Sequence, residues 1–215
     1  MLKKRHYTWQ DSACLGLDQM VRTLFGQPKN SGRPYPVINR NEETLTATQH
    51  QKSAALMRIN HAGEVCAQAL YHGQGCISKR AAIKEKMALA ALEEGDHLVW
   101  CQKRLTELGS RPSYLNVFWY THSFVIGMAA GLMGDKWSLG FLAETEEQVV
   151  KHLTKHLVQL QDYDKRSYQI LLQMQQDEAH HREDAIKAGG NALPKWVKKI
   201  MQFTSKIMVK TTYWI

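Results

Sequence analysis

The sequence predicts an all-α protein, a four-helix bundle with additional helices around it. Three features carry that prediction. From about Thr46 onward apolar residues recur at helical spacing, and no stretch alternates as a strand does. Glycine and proline stop signals cut this pattern into helix-length segments that fall into two pairs. Glutamate and histidine recur in both pairs at nearly the same intervals. A chain of 215 residues, 44% of them hydrophobic, suits one well-buried core rather than two.

Residues 11–25 predict a short amphipathic helix capped by Asp11 or Ser12, with Leu15, Met20, Val21 and Leu24 as its apolar positions. Gly26, Pro28, Gly32, Pro34 and Pro36 make residues 26–45 a connecting loop, so residues 1–45 read as an N-terminal helix and loop. Residues 46–215 read as the bundle. Its first helix runs from about 47 to the high 70s, and its second from about 81 to Leu108, where Gly109 and Pro112 stop it. A second pair runs from about Ser138 to Leu160 and from about Lys165 to Lys187, ended by Gly189, Gly190 and Pro194. Between the pairs lies an apolar crossover, about 114–134, whose Asn116, His122, Ser123 and glycines leave it short of a transmembrane helix.

Residues 195–215 interleave Lys195, Lys198, Lys199, Lys206 and Lys210 with Trp196, Val197, Ile200, Met201, Ile207 and Met208. This basic amphipathic pattern suits a helix lying in the surface of an anionic membrane; a terminal helix packed on the bundle with its lysines in water has the same pattern. The crossover and this segment are the additional, membrane-associating helices. Much of the net charge of +8 sits in this tail, and without a zinc finger or base-reading element no nucleic-acid partner is expected. Cys14, Cys66, Cys76 and Cys101 form no CxxC, which fits a reducing compartment. The opening MLKKRHYTWQ has the charge of a signal peptide but no apolar stretch behind it, so neither export nor import is expected.

Two Glu-x-x-His sequences, Glu94 with His97 and Glu178 with His181, place both side chains of each pair on one helix face. Composition alone gives roughly 0.6 such pairs at this helical spacing, so two are only a mild excess. The repeat says more: Glu64 precedes Glu94 by 30 residues and Glu146 precedes Glu178 by 32. In antiparallel helices, residues equidistant from the turn share a height, and the midpoints fall near Lys79 and at Asp162, in polar, turn-like surroundings. Glu146, Glu178 with His181, and Glu94 fall in apolar stripes, whereas Glu144 and Glu147 have mostly polar neighbours at helical spacing. Inward carboxylates need a positive partner. Any one of these residues alone is as readily a solvated helix charge or a satisfied core histidine. Together they are the ligand set of ferritin-like di-iron and di-manganese bundles, with iron the better choice for redox work. His61, Asp177, His180 and His152 are candidates to hydrogen-bond those ligands, Asp177 and His180 lying one position out of phase with the stripe.

Met57-Arg58-Ile59-Asn60-His61-Ala62-Gly63-Glu64-Val65-Cys66-Ala67-Gln68-Ala69-Leu70-Tyr71, with Glu93 to Leu98, Glu146 to Gln148 and Asp177 to His181, resembles the demethoxyubiquinone hydroxylase family of ubiquinone biosynthesis, bacterial type. The resemblance covers roughly residues 50–215. It implies a ferritin-like di-iron monooxygenase that hydroxylates a polyprenyl benzoquinol with O2. It further implies two iron ions per chain, one bound by Glu64, Glu94 and His97 and the other by Glu146, Glu178 and His181, with Glu94 and Glu178 bridging. The chain would then sit peripherally on the cytoplasmic face of the bacterial cell membrane, against anionic lipids and open to a ubiquinone-biosynthesis complex. Nothing is carried onto residues 1–45.

Two other functions share parts of the pattern. A ferroxidase or peroxide-scavenging bundle uses similar ligands but has no use for the apolar crossover and lysine-rich tail. A metal-free, membrane-associated lipid-binding adaptor would use both, yet leaves the inward carboxylates without counter-charge.

Overall fold

The computed structural model describes residues 8–38, 44–78 and 80–215. The opening MLKKRHY and the turn position Lys79 lie outside the described residues. The described chain is helical: α1 (Trp9–Phe25), α2 (Ala47–Ile77), α3 (Ala81–Glu107), α4 (Asn116–Leu132), α5 (Asp135–Leu160), α6 (Lys165–Lys187) and α7 (Lys195–Thr212).

Local chemistry sets the helix ends. Thr46 caps α2 in a capping box with Gln49, and Thr8 caps α1 in the same way with Asp11. The cap of α1 is thus Thr8, not Asp11 or Ser12; Asp11 supplies the third-position carboxylate of the box. Gly109, Gly134 and Gly189, with φ of 53°, 97° and 97°, take the left-handed conformations that end α3, separate α4 from α5 and end α6. Helix α5 starts at Asp135, three residues before the expected Ser138, because Asp135 follows that glycine directly.

Helices α2 with α3 and α5 with α6 form the two hairpins of a ferritin-like bundle. Helix α4 returns the chain along α2 in the same direction: His61 meets Asn116 near one end, and Ile77 meets Gly131 near the other. Absent side chains allow this close approach. A Cβ on Gly127 would lie 2.5 Å from the Leu70 carbonyl oxygen.

Two of three apolar clusters among the described residues lie toward the two ends of the bundle, the third joining Val65, Ala69 and Leu98 to Tyr120 of α4. Met57, Trp100, Leu153, Leu160, Ile170 and Met174 belong to the end cluster beside the 160s turn, and Tyr71, Ile83, Met87, Leu139 and Leu142 to the opposite one. The predicted ligands lie between them in sequence height, so apolar packing closes the space above and below. Segment 26–38 crosses α3, where Gly95 leaves room for the backbone of Lys29 and Asn30. Asp96 then accepts hydrogen bonds from Ser31 Oγ, Gly32 N at 3.0 Å and Arg33 N at 3.2 Å. Helix α7 lies across α2 and α5, tied by Lys198 to Glu144 at 2.6 Å and by Arg58 Nη1 to the Tyr213 carbonyl at 2.9 Å. No helix among the described residues is long and apolar enough to cross a membrane.

Candidate metal centre

Each hairpin delivers one glutamate opposite one Glu-x-x-His, as its register requires. One ligand atom from each of Glu64, Glu94, His97 and Glu178 lies within 4.8 Å of the others. His97 Nδ1 is 3.6 Å from Glu64 Oε2, 3.3 Å from Glu94 Oε2 and 3.2 Å from Glu178 Oε1. His181 Nδ1 is 3.1 Å from Glu94 Oε1 and 3.3 Å from Glu178 Oε2. Glu94 and Glu178 thus each present one oxygen to each imidazole. Glu146 lies beside Glu178 and accepts from the Tyr71 hydroxyl at 3.0 Å.

The group is dry and short of partners. Glu64, Glu94, His97, Glu146 and Glu178 are all buried. Glu64 Oε2, both Glu94 oxygens, His97 Nδ1 and Glu146 Oε2 have no hydrogen-bond partner, an unmet desolvation cost of about 1–3 kcal/mol for each group. Cations bound among these side chains would meet those needs. Hard carboxylate oxygens with two imidazoles suit iron or manganese, so the donor set fits the predicted metal. Among themselves the side chains balance charge with protons. Burial pushes the Glu64 and Glu146 carboxyls well up, reinforced by neighbouring carboxylates. Burial also opposes the charged forms of His97 and His181, but hydrogen bonds to the surrounding carboxylates hold both imidazoles well above their usual range. Glu94, despite burial, is held well below the carboxylate range by the His181 and His97 imidazoles beside it.

Behind each histidine stands an acid. Asp177 Oδ2 is 2.9 Å from His97 Nε2, and Asp177 is itself held by Arg33 Nη2 at 2.7 Å and Gln173 Nε2 at 3.0 Å. Glu93 Oε2 is 2.6 Å from His181 Nε2. Of the four residues expected beside these side chains, only Asp177 hydrogen-bonds one of them, His97. His180 is exposed, His61 is buried against Asn116, and His152 packs edge-on against His156 in the wall of a channel. Glu93, Arg33 and Tyr71 were not anticipated. Glu93 could have been found as the acid adjoining a ligand, but its half-exposed position reads as solvent-facing. Glu144, expected to face solvent, is buried beneath α7 against Lys198.

The channel has a volume of about 460 Å³ and runs between α2, α4, α5 and α7 to Glu64, Glu146 and Glu178. Trp119, Ile126, Phe141, Val149, Trp196 and Ile200 make its wall mostly apolar.

Comparison with known proteins agrees with this architecture. Residues 51–212 match the family described as ubiquinone biosynthesis protein COQ7. A 3-demethoxyubiquinol 3-hydroxylase of Nitrosococcus oceani is 48% identical over 214 residues, covering 100% of both chains. Proteins of the same name from Coxiella burnetii and Acinetobacter baylyi are 49% and 50% identical, each over 98% of this chain and over 98% and 100% of their own. With full-length relatives and a match across the whole bundle, this chain belongs to the ubiquinone biosynthesis protein COQ7 family.

Proposed function

We propose that the chain is a monooxygenase that hydroxylates the ring of a polyprenylated demethoxyubiquinol with dioxygen. Its centre would be two iron ions, one held by Glu64, Glu94 and His97 and the other by Glu146, Glu178 and His181, with Glu94 and Glu178 between them. The observation that carries this reading is the meeting of a buried, unsatisfied carboxylate–imidazole group with a mostly apolar channel suited to an isoprenoid chain. The relatives' shared name supports the substrate and the reaction.

Monooxygenation puts one oxygen of O2 into a ring C–H bond and reduces the other to water, at a cost of two electrons and two protons. Two iron ions bound here would supply that electron chemistry. The side chains supply position. Asp177 and Glu93 hold the Nε2 atoms, leaving each Nδ1 facing the centre. Tyr71 engages one Glu146 oxygen and leaves the other available. Asn60 Nδ2 and His152 Nε2 are buried without partners in residues that line the channel, where quinol hydroxyls could satisfy them. Burial, helped by Lys155, pulls the His152 imidazole down to about 4, so it is neutral at physiological pH and can donate or accept.

Peripheral attachment to the cytoplasmic face of a bacterial membrane completes the proposal. Trp196, Ile200, Phe203 and Ile207 are exposed on α7 among its lysines, and Val117, Phe118, Val125 and Leu132 are exposed on α4.

Iron analysis with Mössbauer spectra of the anaerobically reconstituted protein tests the centre. Close to two coupled irons per chain are expected, lost in Glu178→Ala. A chain that takes up no iron would remove the oxygenase reading and favour lipid binding alone. Flotation with anionic vesicles tests the attachment, which should weaken when residues 195–215 are deleted; failure of the full chain to float would refute it.

A further inference from the structure

We propose that metal ions reach the centre through a second cleft between α3 and α6, richer in polar side chains than the channel, with Glu93 and His181 as its gate. This rests on the two-metal reading above. The cleft has a volume of about 540 Å³ and leads to His181, with Arg33, Lys86, Asp177 and Asp184 in its wall.

The two approaches differ in what can travel along them. A hydrated divalent ion entering the apolar channel would have to shed water with few donors to replace it, at a prohibitive cost in free energy. Along the cleft, the carboxylates of Asp184, Glu93 and Asp177 and the His181 imidazole can replace its waters one after another. The two cations in the wall are already occupied, Arg33 on Asp177 at 2.7 Å and Lys86 near Asp184 at 3.7 Å.

The two ligand histidines also differ in freedom. The His97 side chain is wholly buried, and its acid is itself fastened by Arg33 and Gln173. His181 depends on Glu93, whose side chain is 44% exposed. Rotation of Glu93 into water releases the His181 ring, whereas His97 is wholly buried and its acid is pinned in place by Arg33 and Gln173. The position beside His181 therefore fills and empties directly through the cleft, and the ion beside His97 must first pass it. Loading is sequential.

Stopped-flow mixing of the metal-free, full-length protein with Co²⁺, read by the visible absorption of bound cobalt, follows uptake without turnover. Filling the cleft with Ala90→Trp should slow uptake about tenfold or more at unchanged final stoichiometry, and filling the channel with Ala129→Trp should leave the rate within about twofold. Because Ala90 also packs on the adjoining apolar cluster, unaltered protein gives a second test: saturating the channel with a prenylated benzoquinone should leave cobalt uptake within about twofold. An unchanged rate in Ala90→Trp, or strong slowing by the channel variant or by the quinone, overturns the proposal. If unaltered protein binds no cobalt even at equilibrium, the two-metal reading itself fails.

Discussion

The rings of His97 and His181 are aimed from behind. With Nε2 of each engaged by a carboxylate, Nδ1 is the nitrogen left to face the centre. Asp177 and His180 are neighbours in the same helix turn, yet only Asp177 reaches His97, and His180 is exposed. Asp177→Asn should therefore lower metal affinity about 10–100-fold in a chelator competition, while His180→Ala leaves it unchanged. Equal losses in the two variants would mean that disturbance of α6, not the hydrogen bond to His97, sets affinity. Sequence phase placed Asp177 and His180 together, one position outside the ligand stripe. It could not separate them, because the deciding contact comes from α3, 80 residues away.

At the scale of elements, the helices were legible from apolar period and from glycine punctuation such as Gly109 and Gly189, both left-handed, whereas the capping box at Thr8 was missed. The pairing of the helices into two hairpins was legible too, but the packing of α4 and of the N-terminal segment was not. The apolar crossover became α4, laid tightly along α2 where Gly127 faces the Leu70 carbonyl. Gly127→Leu should push the two helices apart and cost about 1–3 kcal/mol, read as a lowered midpoint in chemical denaturation. An unchanged midpoint would show that α4 is not packed as tightly as the approach implies. Gly95 works similarly for the N-terminal segment. Its missing side chain lets residues 29–33 settle on Asp96, which brings Arg33 to Asp177. In this way a loop that seemed only a connector joins the support of the centre.

For the molecule as a whole, the pH dependence of stability follows from four histidines, His61 and His156 buried and His72 and His152 partly so. Burial is the chief cause that pulls His61, His72 and His152 down to about 4 and His156 to about 3. The unfolded chain protonates these rings near pH 6.5, while the folded chain resists until about pH 4. Their contribution to stability is thus full above pH 6.5 and is lost as pH falls toward 4. A His156→Gln variant should keep more of its pH 7 stability at pH 4.5 than the unaltered chain does. Parallel melting curves across that range would contradict this assignment. The same view of the molecule accounts for its exposed apolar residues: α4 and α7 each bury one face around the channel and leave another open, a surface suited to a lipid interface.

The sequence by itself determined the helices, their pairing into two hairpins, and the common height at which Glu64, Glu94, His97, Glu146, Glu178 and His181 meet, because helical period and hairpin symmetry fix height and face within local stretches of chain. Only the tertiary structure decided what stands behind those residues and what leads to them. The Asp177 and Glu93 supports, the Tyr71 contact, the burial of Glu144 under α7 and the walls of channel and cleft all arise between elements distant in sequence. Their geometry depends on how close two helices can approach, which is set by small residues and by packing against third elements. No periodicity along one helix encodes that distance.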